Sequence, residues 1–337
     1  MPELLIVSAL SCAVMTAALV RMVRPSRLAE AVIRALVATL GAVVVALSAG
    51  ALTGAESTSF LLASAFAVAP VAVLLGGAAE EAAPGRRAVS WTLVMVWALV
   101  VFPVCAILPP LLSELCGTSE CRVEDFGGGL ALFVSSAASV LLAWRVPTTL
   151  TREGWSRFAP PVAVAWIAGT IWLVSLEGVV DTYTWRILFA AAVAPLGGAV
   201  AWMVVDLLRR APRHPLRSAA DGVLAGFVAI VPGAAGISFP WSLTVGALAG
   251  AAAALVYGSR RLSSGGRAGH WALVVLTSTA VGYFAPAVSG DTIGFVFSGR
   301  ISALLPPIVT FAAVAVFGVV TSIPSWSLAR RRSSPRS

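Results

Sequence analysis

Asp125-Phe126-Gly127-Gly128-Gly129-Leu130-Ala131-Leu132-Phe133-Val134-Ser135-Ser136 follows a loop holding two cysteines and opens an apolar run that ends at Arg145. A carboxylate just ahead of a helix accepts hydrogen bonds from the free N–H groups of its first turn and suits the positive end of the helix dipole. Glycines without a Cβ let a helix start come close to a neighbour. The stretch therefore reads as the capped entry of a membrane helix whose first turns press against something. For Asp125, structural capping is the favoured role.

Composition sets the environment. Hydrophobic residues make up 59% of the 337-residue chain and charged residues 11%, with a mean hydropathy of +0.94. So few charges do not cover the surface of a soluble protein, and the apolar runs leave little room for a soluble domain. The fold class that follows is an all-α polytopic membrane protein. The net charge of +8 comes from 23 arginines with no lysine. These arginines lie between apolar runs, so they act as topology signals and not as a nucleic-acid surface.

A span needs about 20 apolar residues. Eleven candidates fit: 3–22, 31–53, 58–78, 88–112, 126–144, 159–178, 187–208, 219–238, 242–258, 270–288 and 302–324. With the N-terminus outside, twenty arginines fall in inside loops or the tail, and only Arg122, Arg186 and Arg300 fall outside. That alternation predicts an N-out, C-in protein of the plasma (cytoplasmic) membrane. The first run has no basic residues before it and its arginines follow it, so it reads as a reverse-oriented span and not a signal peptide. Residues 1–324 form one membrane domain, and 325–337 form a short basic cytoplasmic tail. Five spans on each side of the 145–158 loop give opposite orientations, which predicts inverted halves at 1–145 and 158–290 followed by a last helix at 302–324. Ala65-Phe66-Ala67-Val68-Ala69-Pro70 echoes Gly226-Phe227-Val228-Ala229-Ile230-Val231-Pro232, and each proline frees backbone groups that must find partners within the protein. Gly246, Gly250 and Ala254 mark a close-packing helix face.

Little in the chain points to catalysis. There is no HExxH, GxSxG or P-loop pattern, and the expectation is no enzyme, no cofactor and no metal. Cys116 and Cys121 lie in an outer loop, where a disulfide and two free thiols are equally compatible with the sequence. Cys12 and Cys105 read as packing residues. Glu177 and Asp181 make either an acidic outer mouth that concentrates cations or a solvated loop edge. Glu80, Glu81, Asp206 and Asp221 fall at inner ends, as do His214 and His270.

Several motifs resemble the ammonium transporter / Rhesus protein family over nearly the whole chain. Ala17-Ala18-Leu19-Val20-Arg21 is similar to that family's Gly-Gly-Leu-Val-Arg helix ending. Phe66-Ala67 with Gly76 and Ala79-Glu80 resembles its Phe-Ala…Gly-Ala-x-Ala-Glu-Arg pattern, with Glu81 where the arginine would stand. Asp125-Phe126-Gly127-Gly128-Gly129 resembles its Asp-Phe-Ala-Gly-Gly signature. Gly222 to Pro232, followed by Trp241 and Gly246, resembles its Gly-x-x-Ala-Gly-Leu-Val-x-Ile-Thr-Pro segment and the next helix.

The resemblance implies a homotrimer, with a pore in each protomer between two five-helix inverted halves. It also implies an outer aromatic gate and two pore histidines. Ammonium would be recruited outside, lose its proton and cross a narrow apolar section. Carried over by position, Phe66 and Trp172 take the gate places. Pro109 takes the place of an outer tryptophan, and Leu176, next to Glu177, that of an outer serine. The first pore histidine falls on Phe133, eight residues after Asp125. The second falls on Val275, or on Leu276 if the alignment slips by one. Where the resemblance implies a long cytoplasmic tail, Arg330 to Ser337 stand instead, so control by the family's usual nitrogen-signalling regulator is not expected. A divergent ammonia or small-solute channel is the first functional expectation. The alternatives are a non-conducting sensor or scaffold subunit, and a permease for another solute, for which Glu177 and Asp181 would suit a cation.

Overall fold

The computed structural model describes residues 2–22, 27–53, 55–116, 123–145, 155–211, 213–259, 266–289, 295–299 and 304–330. Helices follow the apolar runs in order: α1 (Pro2–Val20), α2 (Leu28–Thr53), α3 (Ala55–Phe66), α4 (Val68–Ala82), α5 (Arg87–Val96), α6 (Phe102–Cys116), α7 (Ser135–Val140), α8 (Trp155–Ser175), α9 (Thr182–Leu208), α10 (Pro215–Ile230), α11 (Phe239–Tyr257), α12 (Gly266–Ser289), α13 (Phe295–Ser298) and α14 (Leu305–Arg330). Among the described residues, ten helical segments are long and apolar enough to span a bilayer, and Leu130–Ala143 is a shorter apolar helix in the eleventh place. All eleven expected spans are therefore helical.

Among the described residues, four spans are not continuous α-helices, the eighth because α10 ends in a 3-10 turn at Val231–Gly233. Span three breaks at Ala67, between α3 and α4, three residues before Pro70. Proline has no N–H to give back to the preceding turn. A π-helical turn at Trp97–Val101 joins α5 to α6. Span five opens as a π turn at Leu130–Val134, continues as α7 and tightens to a 3-10 turn at Leu141–Arg145. It starts at Leu130 instead of the expected 126, because residues 125–129 are taken up by another contact described below.

The expected small-residue face is present, and its partner is α9. A Cβ on Gly246 would run into the Ala194 carbonyl oxygen, and one on Gly250 into that of Gly198. These helices close to backbone distance, which wins dispersion contacts that lipid tails do not match. α1 lies against α8; α12 packs on α4, α7, α10 and α11; α14 packs on α5 and α7. The last of these contacts is polar as well as apolar: Trp326 Nε1 donates to the Ser139 carbonyl at 2.8 Å, and Ser139 Oγ to that of Gly318 at 3.2 Å.

Charges tie the arginine-rich end together. Arg34, tallied in the sequence with the inner-loop arginines, stands in α2 with a wholly buried side chain. Its Nη1 donates to Glu80 Oε1 at 2.7 Å and to Ser90 Oγ at 2.8 Å, bolting α2 to α4 and α5. At the start of α10, Arg213 pairs with Asp206 at 3.4 Å and also with Asp221. Its guanidinium lies 4.4 Å from the Tyr257 ring centroid. Asp206 further accepts from Trp202 Nε1 at 3.1 Å and Ser218 Oγ at 2.6 Å. Three donors thus converge on one half-buried carboxylate oxygen.

Candidate pore

The opening stretch meets the turn that ends α10. Phe126 N–H donates to the Pro232 carbonyl at 2.8 Å, and Gly127 N–H to that of Val231 at 3.0 Å. Val231–Gly233 is a 3-10 turn, so these carbonyls are freed from the helix and find partners in Phe126 and Gly127. A Cβ on Gly127 would sit 2.7 Å from the Val231 oxygen, and one on Gly129 would strike the Pro232 ring. Gly128 takes φ +67, the left-handed conformation that glycine adopts freely. Asp125 then caps the helix start: Oδ1 accepts from Gly129 N–H at 2.6 Å and Oδ2 from Leu130 N–H at 3.0 Å.

A π turn follows directly, at Leu130–Val134. Within Leu130–Val134, four residues are buried and Phe133 is the half-buried exception. Phe133 and Leu132 line a cavity of about 60 Å³. The other walls are Met15 and Leu19 of α1, the link residue Ala67 with Pro70, Val71 and Leu74 of α4, Ala165, Trp166 and Trp172 of α8, and Leu224, Phe227 and Val228 of α10. The cavity thus lies between α1 and α4 on one side and α8 and α10 on the other. Among the described residues its side chains hold only two nitrogen or oxygen atoms, the indole nitrogens, and both are engaged in backbone bonds. Trp166 Nε1 donates to the Ala191 carbonyl at 2.9 Å and Trp172 Nε1 to the Ala63 carbonyl at 3.1 Å. The Ala63 carbonyl also accepts from Ser8 Oγ at 3.3 Å, so α1, α3 and α8 meet at that oxygen.

The residues singled out in the sequence separate into groups. Phe133 and Trp172 share the cavity wall. Phe66 is half-buried at the end of α3, one residue before the first wall residue of the link to α4. Val275 is buried in α12, accepts a hydrogen bond from Thr279 Oγ1 on its carbonyl at 2.8 Å, and is not part of the wall. Pro109 is buried in α6, and Leu176 is buried just past the end of α8. Asp181 is the exposed N-cap of α9, accepting from Tyr183 N–H at 2.8 Å and Thr184 N–H at 3.3 Å in a capping box. Glu177 is half-buried in the same turn; burial first, and then the charge of Asp181, hold its carboxyl above the ordinary carboxylate value. Cys121 and the Cys116 side chain lie outside the described residues, so their pairing does too. His214 caps α10 through Nδ1, which accepts from Leu216 N–H at 3.3 Å, and the His270 side chain is outside the described residues. Among the described residues no cluster of His, Cys, Asp or Glu suits a metal ion. Sequence reasoning missed the walls contributed by α1 and α10, whose leucines, methionine and phenylalanine look like any bundle residues. The signals that could have found them were Leu19 in the Ala17–Arg21 motif and Phe227 and Val228 in the stretch that echoes Ala65–Pro70.

No protein-family profile matches the chain. Over 199 residues it is 26% identical to the ammonium transporter MEP2 of Saccharomyces cerevisiae, a match covering 55% of this chain and 39% of that protein. The chain thus matches about two fifths of the length of that curated relative. Superposed on the crystal structure of Candida albicans Mep2, it gives a TM-score of 0.78 at 16% identity, covering 98% of this chain and 85% of that one. The chain has the ammonium-transporter fold. A structure described as a sensor Amt protein shares that fold at a TM-score of 0.74 and 11% identity, covering 98% of this chain and 93% of its own. On the ammonium-transporter frame, the cavity wall carries phenylalanine at 133, where the motif count puts the first pore histidine.

Proposed function

We propose that this protein is a multi-pass plasma-membrane channel of the ammonium-transporter type that passes ammonia, or another small neutral solute, and excludes ions. The observation that carries the reading is the cavity between α1, α4, α8 and α10, walled by Phe133 and Trp172 and, among the described residues, free of charged side chains. A bare ammonium ion entering it would lose its water for no partner, at a cost of several kcal/mol or more. A neutral molecule forfeits far less. In this reading the chain forms two inverted halves, 1–145 and 158–290, and assembles as a homotrimer with one pore per protomer. Phe66 and Trp172 narrow the outer approach, and Glu177 with Asp181 raise the local cation concentration before deprotonation.

The experiment is reconstitution into liposomes with an internal pH dye, followed by an ammonium jump. Faster internal alkalinisation than in empty liposomes is the expected result, and Phe133→His should speed it further by placing a proton acceptor on the wall. Equal rates in loaded and empty liposomes would remove the channel reading. They would favour the second one, a non-conducting sensor or scaffold subunit, whose motive is the same phenylalanine at 133.

A further inference from the structure

We infer that the cavity is dry, and that its preferred occupants are weakly hydrated neutral molecules, dissolved apolar gases as a class, ahead of water and of ammonia itself. The inference deepens the channel reading and rests on it for transit, but the binding site stands on the cavity alone.

Size does not keep water out. A water needs about 10–15 Å³ of such space, and the cavity offers about 60 Å³. What water lacks is partners, since an internal water holds its place by two to four hydrogen bonds. Among the described residues the wall supplies almost no polar atom. The two that its side chains do carry, the indole N–H groups of Trp166 and Trp172, are committed to the Ala191 and Ala63 carbonyls. Swinging either indole to meet a guest would break a bond and orphan a buried carbonyl. Pro70 likewise brings a backbone nitrogen without a proton to this wall. Ammonia resembles water here: it must shed its hydrogen bonds to enter and regains none. An apolar atom or diatomic molecule sheds nothing of comparable size and gains dispersion contacts with Val71, Leu74, Phe133, Phe227 and Val228. An empty apolar cavity is the kind of space that takes up xenon.

The test uses xenon on crystals of the full chain, with ordered water read from the same density maps. Xenon bound between Phe133, Trp172 and Val71, with no ordered water beside it, is the expected result. Leu74→Asn puts an amide on the wall and should cut xenon occupancy about tenfold while admitting water. Should Leu74→Asn not fold, Phe133→His serves the same purpose. Ordered waters filling the wild-type cavity, or xenon occupancy indifferent to these substitutions, would overturn the inference. Ammonium jumps on the same protein keep the two ideas apart. Xenon binding without ammonia flux removes the channel reading and leaves the dry site, whereas flux through a water-filled cavity does the reverse.

Discussion

Phe133 and Trp172 reach the same wall by different physical means. Phe133 is turned there by the π turn that starts beyond the Asp125 cap, whereas Trp172 is held by its bond to the Ala63 carbonyl. Phe133 was reached by counting on from Asp125 just ahead of its helix, and Trp172 by counting back across a loop from Trp202 and Asp206 on α9; the counts gave positions in the chain, not the wall the two share. Val275 was reached by the same counting on α12 and lies off the cavity wall. An α-helical count places a residue within its own helix but says nothing of how that helix is rotated against its neighbours. Glu177 carries a prediction at this scale. Its folded carboxyl titrates above the ordinary value, through burial and then the charge of Asp181, so the fold favours the protonated form. That contribution is fully present below the unfolded value of about 4.3 and is lost as the pH rises through the raised folded value. Glu177→Gln should therefore raise the thermal midpoint at neutral pH and converge with the wild type in acid. Midpoints that stay parallel across the two conditions would contradict it.

At the scale of elements, the eleven apolar runs were readable because a bilayer demands some 20 apolar residues per span and sorts arginines to one side. Breaks within spans were not readable. No local residue pattern announced the π turns at Trp97–Val101 and Leu130–Val134. The joint at 125–129 was half legible: three glycines announced a close approach, but nothing in them named Val231 and Pro232, more than 100 residues on. Two glycines test this with opposite signs. Gly127→Ala drives a methyl into the Val231 carbonyl and side chain, neither of which has room to move. It should cost about 1–3 kcal/mol. Gly77, inside α4, has open space where a methyl would stand, with no neighbouring atom within 4 Å. Gly77→Ala should stabilise by about 0.5–1 kcal/mol through the unfolded chain. Thermal unfolding of the detergent-solubilised variants reads both. Shifts of the same sign would show that the joint is looser than described.

Across the whole molecule, the arginine-rich end is braced by buried charge and the joint by backbone. The two should respond differently to substitution. Arg34→Met strands Glu80, and losing one partner of a buried pair costs about 3–5 kcal/mol; Arg34→Met with Glu80→Gln should recover much of that. A double variant no better than the single one, in the thermal midpoint or in monodisperse yield, would mean that Arg34 matters for its shape and not its charge. The joint makes no such demand. Its donors are the N–H groups of Phe126 and Gly127 and its acceptors the carbonyls of Val231 and Pro232. Small size near residue 127 is what it requires. There is also a consequence for biosynthesis. The two acceptors lie 106 and 104 residues beyond their donors (232 − 126 and 231 − 127). At ribosomal speeds of about 5–20 residues per second, the stretch at 125–129 waits on the order of 5–20 s for its mate. Throughout that interval the newly inserted first helices must be chaperoned by the translocon or by lipid headgroups. The seam beside the cavity can close once α10 has emerged, ahead of the contacts that α14 makes with α7.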